Sequence, residues 1–246
     1  MTATAPREFL GIGSVLGTSL QVLGSNLLPF FTIAILTISP VYLFLYWWAW
    51  SESVFDSLSL WQLEIGIVLG EILLGFVTHA AVVYGTFQQL RGRRAGFVEI
   101  VLTGLRNALA VLAVAVVSSV LVMLGFLALV VPGIILATMY WVAIPAAVVE
   151  KTGVADSLAR SSDLTRGHRW PVFALFLLFW VGQGLFDRLV ESVFDFDGDY
   201  NIALAVTWLM SAAITALGAV VSTVTYYHLR RLKEGIGVDE IAAVFD

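Results

Sequence analysis

Ionisable side chains inside apolar segments are where chemistry would reside in this sequence, because each costs roughly 2.5–3.5 kcal/mol at the centre of a bilayer on insertion scales. Glu64 and Glu71 stand seven residues apart in one such segment and so share a helical face, with His79 about 80° further round. That arrangement suits a proton or cation path. It equally suits a protonated carboxyl hydrogen-bonded between packed helices. In another segment Gln183, Asp187 and Glu191 recur every four residues, and Arg188 precedes Glu191 by three. Those spacings pair charges along a helix, so an ion pair holding helix ends together and an external ligand site are the two readings. The densest cationic group is Arg160, Arg166, His168 and Arg169 beside Trp170. Such a group attracts anionic lipid headgroups by charge and hydrogen bonding; topology-setting arginines, with Arg160 paired to Asp156 or Asp163, fit the same residues.

Other chemistries lack their residues. The chain has no cysteine, which removes thiolate metal sites and thiol catalysis, and its three histidines are dispersed at 79, 168 and 228. A haem or chlorophyll at His79 would want a second histidine-bearing span. Ser161 and Ser162 lie in no nucleophile elbow, and no third residue orients His168. The run DFDGDYN (195–201) resembles a calcium loop, yet Tyr200 and Val206 occupy the positions where such a loop needs Gly and a bidentate Glu. No metal, cofactor or nucleic-acid partner is expected, and the chain is read as non-catalytic.

The elements that position these residues are membrane spans. With 59% hydrophobic and 13% charged residues and a mean hydropathy of +0.93, the composition exceeds what a water-exposed surface tolerates. Crossing about 30 Å of hydrocarbon takes roughly 20 apolar residues. Six segments are predicted to do so, near 27–50, 61–87, 109–131, 134–149, 172–190 and 202–227, in a single all-α domain of 1–246. Pro132-Gly133 is a turn signal that splits one overlong apolar run, and Pro145 interrupts the shortest span. Gly66 and Gly70 form a GxxxG step that allows close helix approach.

Three amphipathic stretches are predicted to lie along the inner interface: residues 1–25, with Phe9, Ile12, Leu16, Leu20 and Leu23 as one apolar stripe; 97–108; and 154–163. Each precedes a hairpin of spans, which suggests three repeats of the same unit. Twelve of the thirteen basic residues fall at Arg7, at 91–106, at 151–169 and at 230–233, whereas the intervening connections carry Glu52, Asp56, Asp195, Asp197 and Asp199. This bias places both termini and the tail 228–246 in the cytoplasm, in an inner membrane. No cleavable signal peptide is expected within Met1 to Ser25.

The strings VYGTFQQLRGRR (83–94), PGIILATMYWVAIPAAVVE (132–150), SLARSSDLTRGHRW (157–170) and TYYHLRRLKEG (225–235) resemble a widespread prokaryotic family of six-helix membrane proteins. That family includes the membrane domain fused to some glycerophosphodiester phosphodiesterases. The resemblance implies a fold rather than an activity, because this chain carries no phosphodiesterase barrel. The expected function is a membrane-organising or accessory scaffold that engages anionic lipids, a membrane protein partner or a second copy of itself. The alternative is a transporter or channel that uses the Glu71 face.

Overall fold

A computed structural model describes residues 10–50, 60–193 and 200–235. The side chains of Glu64, Glu71, Asp187 and Glu191, together with Arg7, Glu52, Asp56 and the acidic run 195–199, lie outside the described residues. Those described form α-helices throughout: α1 (Ile12–Ser25), α2 (Leu27–Trp50), α3 (Leu60–Leu90), α4 (Phe97–Ala128), α5 (Val130–Met139), α6 (Ala143–Glu150), α7 (Val154–Thr165), α8 (Arg169–Val193) and α9 (Tyr200–Glu234). Among them five stretches are long and apolar enough to cross a membrane, at Leu27–Phe44, Phe97–Ala128, Val130–Glu150, Arg169–Phe186 and Ala205–Glu234. The second predicted span, 61–87, falls in α3 and is not one of the five, and several of its side chains lie outside the described residues.

Helices α3 and α9 form the centre, with α2 and α4 packed on α3 and with α1 and α2 packed on α9. Their contact is built from small and β-branched residues: Ala80, Ala81, Val82 and Val83 on α3, and Ala219, Val220, Val221 and Val224 on α9, all buried. In lipid, apolar burial gives no drive towards helix association, so close van der Waals approach and interhelical hydrogen bonds must supply it. Gly104 of α4 shows how close: a Cβ there would stand 2.6 Å from Ala81 Cβ. Polar links add to this, with Thr78 Oγ1 donating to Thr37 Oγ1 at 2.7 Å and the Tyr42 and Ser211 hydroxyls 3.3 Å apart.

Outward faces are apolar. Leu109, Val116, Val120, Leu124 and Leu127 of α4 and Leu178, Trp180, Leu185 and Leu189 of α8 are exposed, a surface that acyl chains cover and water does not.

Several local features depart from the sequence reading. The predicted amphipathic stretch 97–108 is no separate helix but the first third of the 32-residue α4. Short helices precede long ones at α1 and α7 only, so the element order is not a regular threefold repeat. The reversal of the α4–α5 hairpin sits at Leu129 (φ −168°, ψ 158°), not at Pro132-Gly133. Pro132 occupies the first turn of α5, where an absent N–H leaves no bond unmade. Gly133 is a packing residue: a Cβ would meet the Phe126 ring at 2.4 Å, and its Cα faces Gly125. The fourth span is two helices, broken at Tyr140–Val142 ahead of Pro145, whose missing N–H deprives Trp141 of its helical partner.

Helix α1 turns only part of its predicted stripe inward: Leu16 and Leu23 pack on the core. Val15, Ser19 and Val22 are buried, whereas Ile12 and Leu20 are exposed. Val15, Ser19 and Val22 allow close approach to the bundle, Leu16 and Leu23 flank that contact, and Ile12 and Leu20 face outward. Of the GxxxG pair, Gly70 faces Val41 of α2 at 3.1 Å and Gly66 faces open space.

Candidate functional site: a basic cavity beside a buried ionic tie

The C-terminal ends of α3, α6 and α9 and the N-terminal ends of α4, α7 and α8 converge at one end of the bundle, where two polar constellations form. The first is a closed set of charges. Glu150, the last residue of α6, accepts a hydrogen bond from Tyr226 Oη at 2.6 Å and from Arg160 Nε at 2.8 Å through Oε1. Arg160 of α7 also donates to Glu234, whose second oxygen accepts from Arg230 Nε at 2.7 Å. Arg230 Nη1 closes the set by donating to Tyr226 Oη at 3.2 Å, with Glu150 Oε1 3.9 Å away. Two guanidiniums and two carboxylates cancel, which is how charge survives among side chains only 9–28% exposed. Burial opposes the charge on Arg160, but the bonds to Glu150 and Glu234 outweigh it and raise the guanidinium above its ordinary pKa.

Arg160 is therefore bonded neither to Asp156 nor to Asp163. Nearby, Ser161 Oγ donates to the carbonyl of Met139 at 2.6 Å, so this hydroxyl satisfies the broken end of α5. The other predicted headgroup residues are spread out. Arg166 is exposed and lies 3.4 Å from Asp163, while His168 and Arg169 are half-buried at the start of α8. His79 is half-buried on α3, Arg188 is exposed on α8, and Gln183 lines a largely apolar cavity of about 420 Å³ between α1, α8 and α9.

The second constellation is a cavity of about 400 Å³ between α3, α4 and the end of α6. Four cations line it: Arg91, Arg93, Arg106 and Lys151. Phe87, Val148 and Val149 supply apolar wall; Tyr84, Gln88, Thr103 and Asn107 supply neutral polar groups. Local structure explains the convergence. Helix α3 ends in a Schellman motif, with Gly92 N–H donating to Gln89 O and Arg93 N–H donating to Gln88 O, both at 2.9 Å. Gly92 takes the left-handed φ of +74° that this cap requires, which sets Arg91 and Arg93 on either side of it. Glu99 then joins α3 to α4, accepting from Tyr84 Oη at 2.5 Å and from the Gly96 N–H at 3.3 Å. Lys151 caps α6 at φ 51°, ψ 37°, a conformation that glycine adopts without strain and lysine does not.

Sequence reasoning assigned these four cations to topology alone. Two signals pointed further: the Arg-Gly-Arg run at a helix end, and a lysine rather than a glycine closing α6. Among the described residues no three His, Asp or Glu side chains cluster as a metal-ligand set.

Long apolar helices, lipid-suited outer faces and a polar end define a multi-pass helical bundle of the membrane. More particularly, the chain belongs to the family described as Domain of unknown function (DUF7847), whose model matches residues 10–229. No curated protein and no solved structure matches the chain.

Proposed function

We propose that this protein is a non-catalytic, six-span component of the inner membrane that organises its surroundings by holding anionic lipid headgroups at its cytoplasmic face. The observation that carries the reading is the four-cation cavity between α3, α4 and α6. Basic pockets between spans on the cytoplasmic side bind anionic headgroups, and arginine forks match phosphate oxygens in pairs. The apolar outer surface of α4, with Leu102, Leu105 and Leu109 exposed beside Arg106, supports an acyl chain running from the same site. The ionic tie supports a rigid frame for the cavity, because Glu150 is fixed one residue before Lys151.

Lipid carried through purification tests this. The full chain, extracted in neutral detergent and analysed by native mass spectrometry, retains anionic phospholipid, and Arg91→Gln with Arg106→Gln lowers the retained amount. Equal retention by parent and variant, with both folded, would refute the assignment of the cavity.

A further inference from the structure

We infer that the crevice at the break between α5 and α6 binds an uncharged, membrane-dissolved ring compound with carbonyl oxygens, a quinone. This goes beyond the anionic-lipid reading and does not depend on it. The crevice has a volume of about 530 Å³ and lies between α4, the α5–α6 break and α8, within the roughly 300–1,000 Å³ of small-molecule sites. Phe126, Tyr140, Trp141 and Phe176 bring four aromatic rings to its wall, with Ser119 and Met123 beside them. Met123 and Phe126 are exposed on the outer surface of the bundle, so the opening faces acyl chains and a ligand enters sideways from lipid.

Chemistry and depth together select the occupant. No charged side chain lines the crevice, so a charged headgroup has no counter-ion there. Tyr140 is the middle residue of the apolar stretch Val130–Glu150, about 15 Å from either end at the helical rise. The ester carbonyls of phospholipids lie in the interfacial regions near the ends of a span. Only a molecule dissolved wholly in the hydrocarbon carries an oxygen to mid-depth. An oxygen is also what the wall lacks. Trp141 Nε1 is buried with no acceptor among the described residues. Ser118 Oγ donates to the Ala115 carbonyl at 3.0 Å, whereas the hydroxyls of Ser119 and Tyr140 have no partner among the described residues. Hydrocarbon offers such donors nothing in place of a missing acceptor, and a ligand carbonyl supplies one.

The broken helix explains why these groups meet. Pro145 interrupts the backbone ladder, and the irregular turn between α5 and α6 carries Tyr140 and Trp141 side by side into the crevice wall. The indole stands edge-on to Phe176, with 6.1 Å between ring centroids, and 6.2 Å from Phe179. A further flat ring extends that packing. The indole is half-buried, and turning it between these two rings presents its N–H to the ligand.

The test measures tritiated decylubiquinone bound to the full chain in phosphatidylcholine nanodiscs, with the signal of empty nanodiscs subtracted. Saturable binding is expected. Decylbenzene, which has the ring and tail without carbonyls, and dioleoylglycerol, which has carbonyls without the ring, should each compete at least about tenfold less well than unlabelled decylubiquinone. Trp141→Phe keeps an aromatic ring and removes the N–H, and should weaken binding about tenfold. Ala137→Leu fills the crevice and should abolish binding with cooperative thermal unfolding retained, which decides the question should Trp141→Phe fail to fold. Trp208→Phe removes another buried, unpartnered N–H outside the crevice and should leave binding unchanged. A signal that never saturates above empty nanodiscs overturns the site. Equal competition by decylbenzene overturns carbonyl recognition, equal competition by dioleoylglycerol overturns recognition of the ring, and an equal loss in the two tryptophan variants overturns the placement in this crevice.

Discussion

Removing Glu150 from the buried tie should cost more stability than removing any other single charge at the basic end. In Glu150→Gln the shape is kept, but Arg160 and Arg230 are left to share Glu234, and the acceptor of both Tyr226 Oη and Arg160 Nε loses its charge. Breaking one member of a buried pair costs about 3–5 kcal/mol in soluble proteins. Partial exposure, 16% for Glu150 and 28% for Arg160, lowers the expectation to about 2–3 kcal/mol, since water still screens part of the orphaned charge. Arg160→Met should cost less, because it removes the most exposed of the four side chains, 28%, and leaves Glu150 still bonded to Tyr226 with Arg230 at 3.9 Å. The double variant should fall short of the sum by about 1–2 kcal/mol, the coupling expected of residues in one network. Equilibrium unfolding in mixed micelles with increasing sodium dodecyl sulfate reads all three values. A loss below about 0.5 kcal/mol for Glu150→Gln, within the range of surface substitutions, would refute the view that the tie holds α6, α7 and α9 together.

Lys151→Gly should raise stability by about 0.5–1 kcal/mol in the same assay, by relieving the left-handed cap, while weakening retention of anionic lipid; a fall in stability would remove the strain argument. Gly133→Val should destabilise by about 1–3 kcal/mol through its clash with Phe126, whereas Gly66→Val, facing open space, should change the unfolding midpoint little. Single cysteines at positions 56 and 197 should react with an impermeant maleimide added to intact cells, and those at 93 and 166 should not; the reverse labelling would invert the topology.

The class of this protein was legible because apolar runs long enough to cross a bilayer are rare in folds that must keep a wet surface. Finer features were hidden for physical reasons. An apolar stripe on a soluble helix marks its inward face, but lipid accepts the same stripe outside; hence Ile12 and Leu20 of α1 are exposed while Ser19 is buried. Pro132-Gly133 reads as a turn by propensity, yet proline in a first helical turn and glycine at a helix contact are equally good uses of those residues. Arg160 has acidic neighbours four residues before it and three after, and its actual partners lie 10 and 74 residues away. Local spacing cannot announce them. The cavity was not read from the sequence, where its cations served only to set topology: Arg-Gly-Arg suits a capped helix end, but nothing in the sequence placed Arg106 and Lys151 beside it.

The division of the ionic tie has a consequence for how this chain is made. Synthesis proceeds at about 5–20 residues per second, so Glu150 and Arg160 leave the ribosome seconds before Arg230 and Glu234. Each couple is close in sequence, ten residues apart in the first and four in the second, and each is neutral by itself. An early segment can thus wait at the membrane surface with its charges already satisfied, and the last helix arrives carrying its own matched pair. Completion keeps both couples and adds the links from Arg160 to Glu234 and from Arg230 to Glu150, so no lone charge has to enter lipid while the remainder of the chain is still being translated.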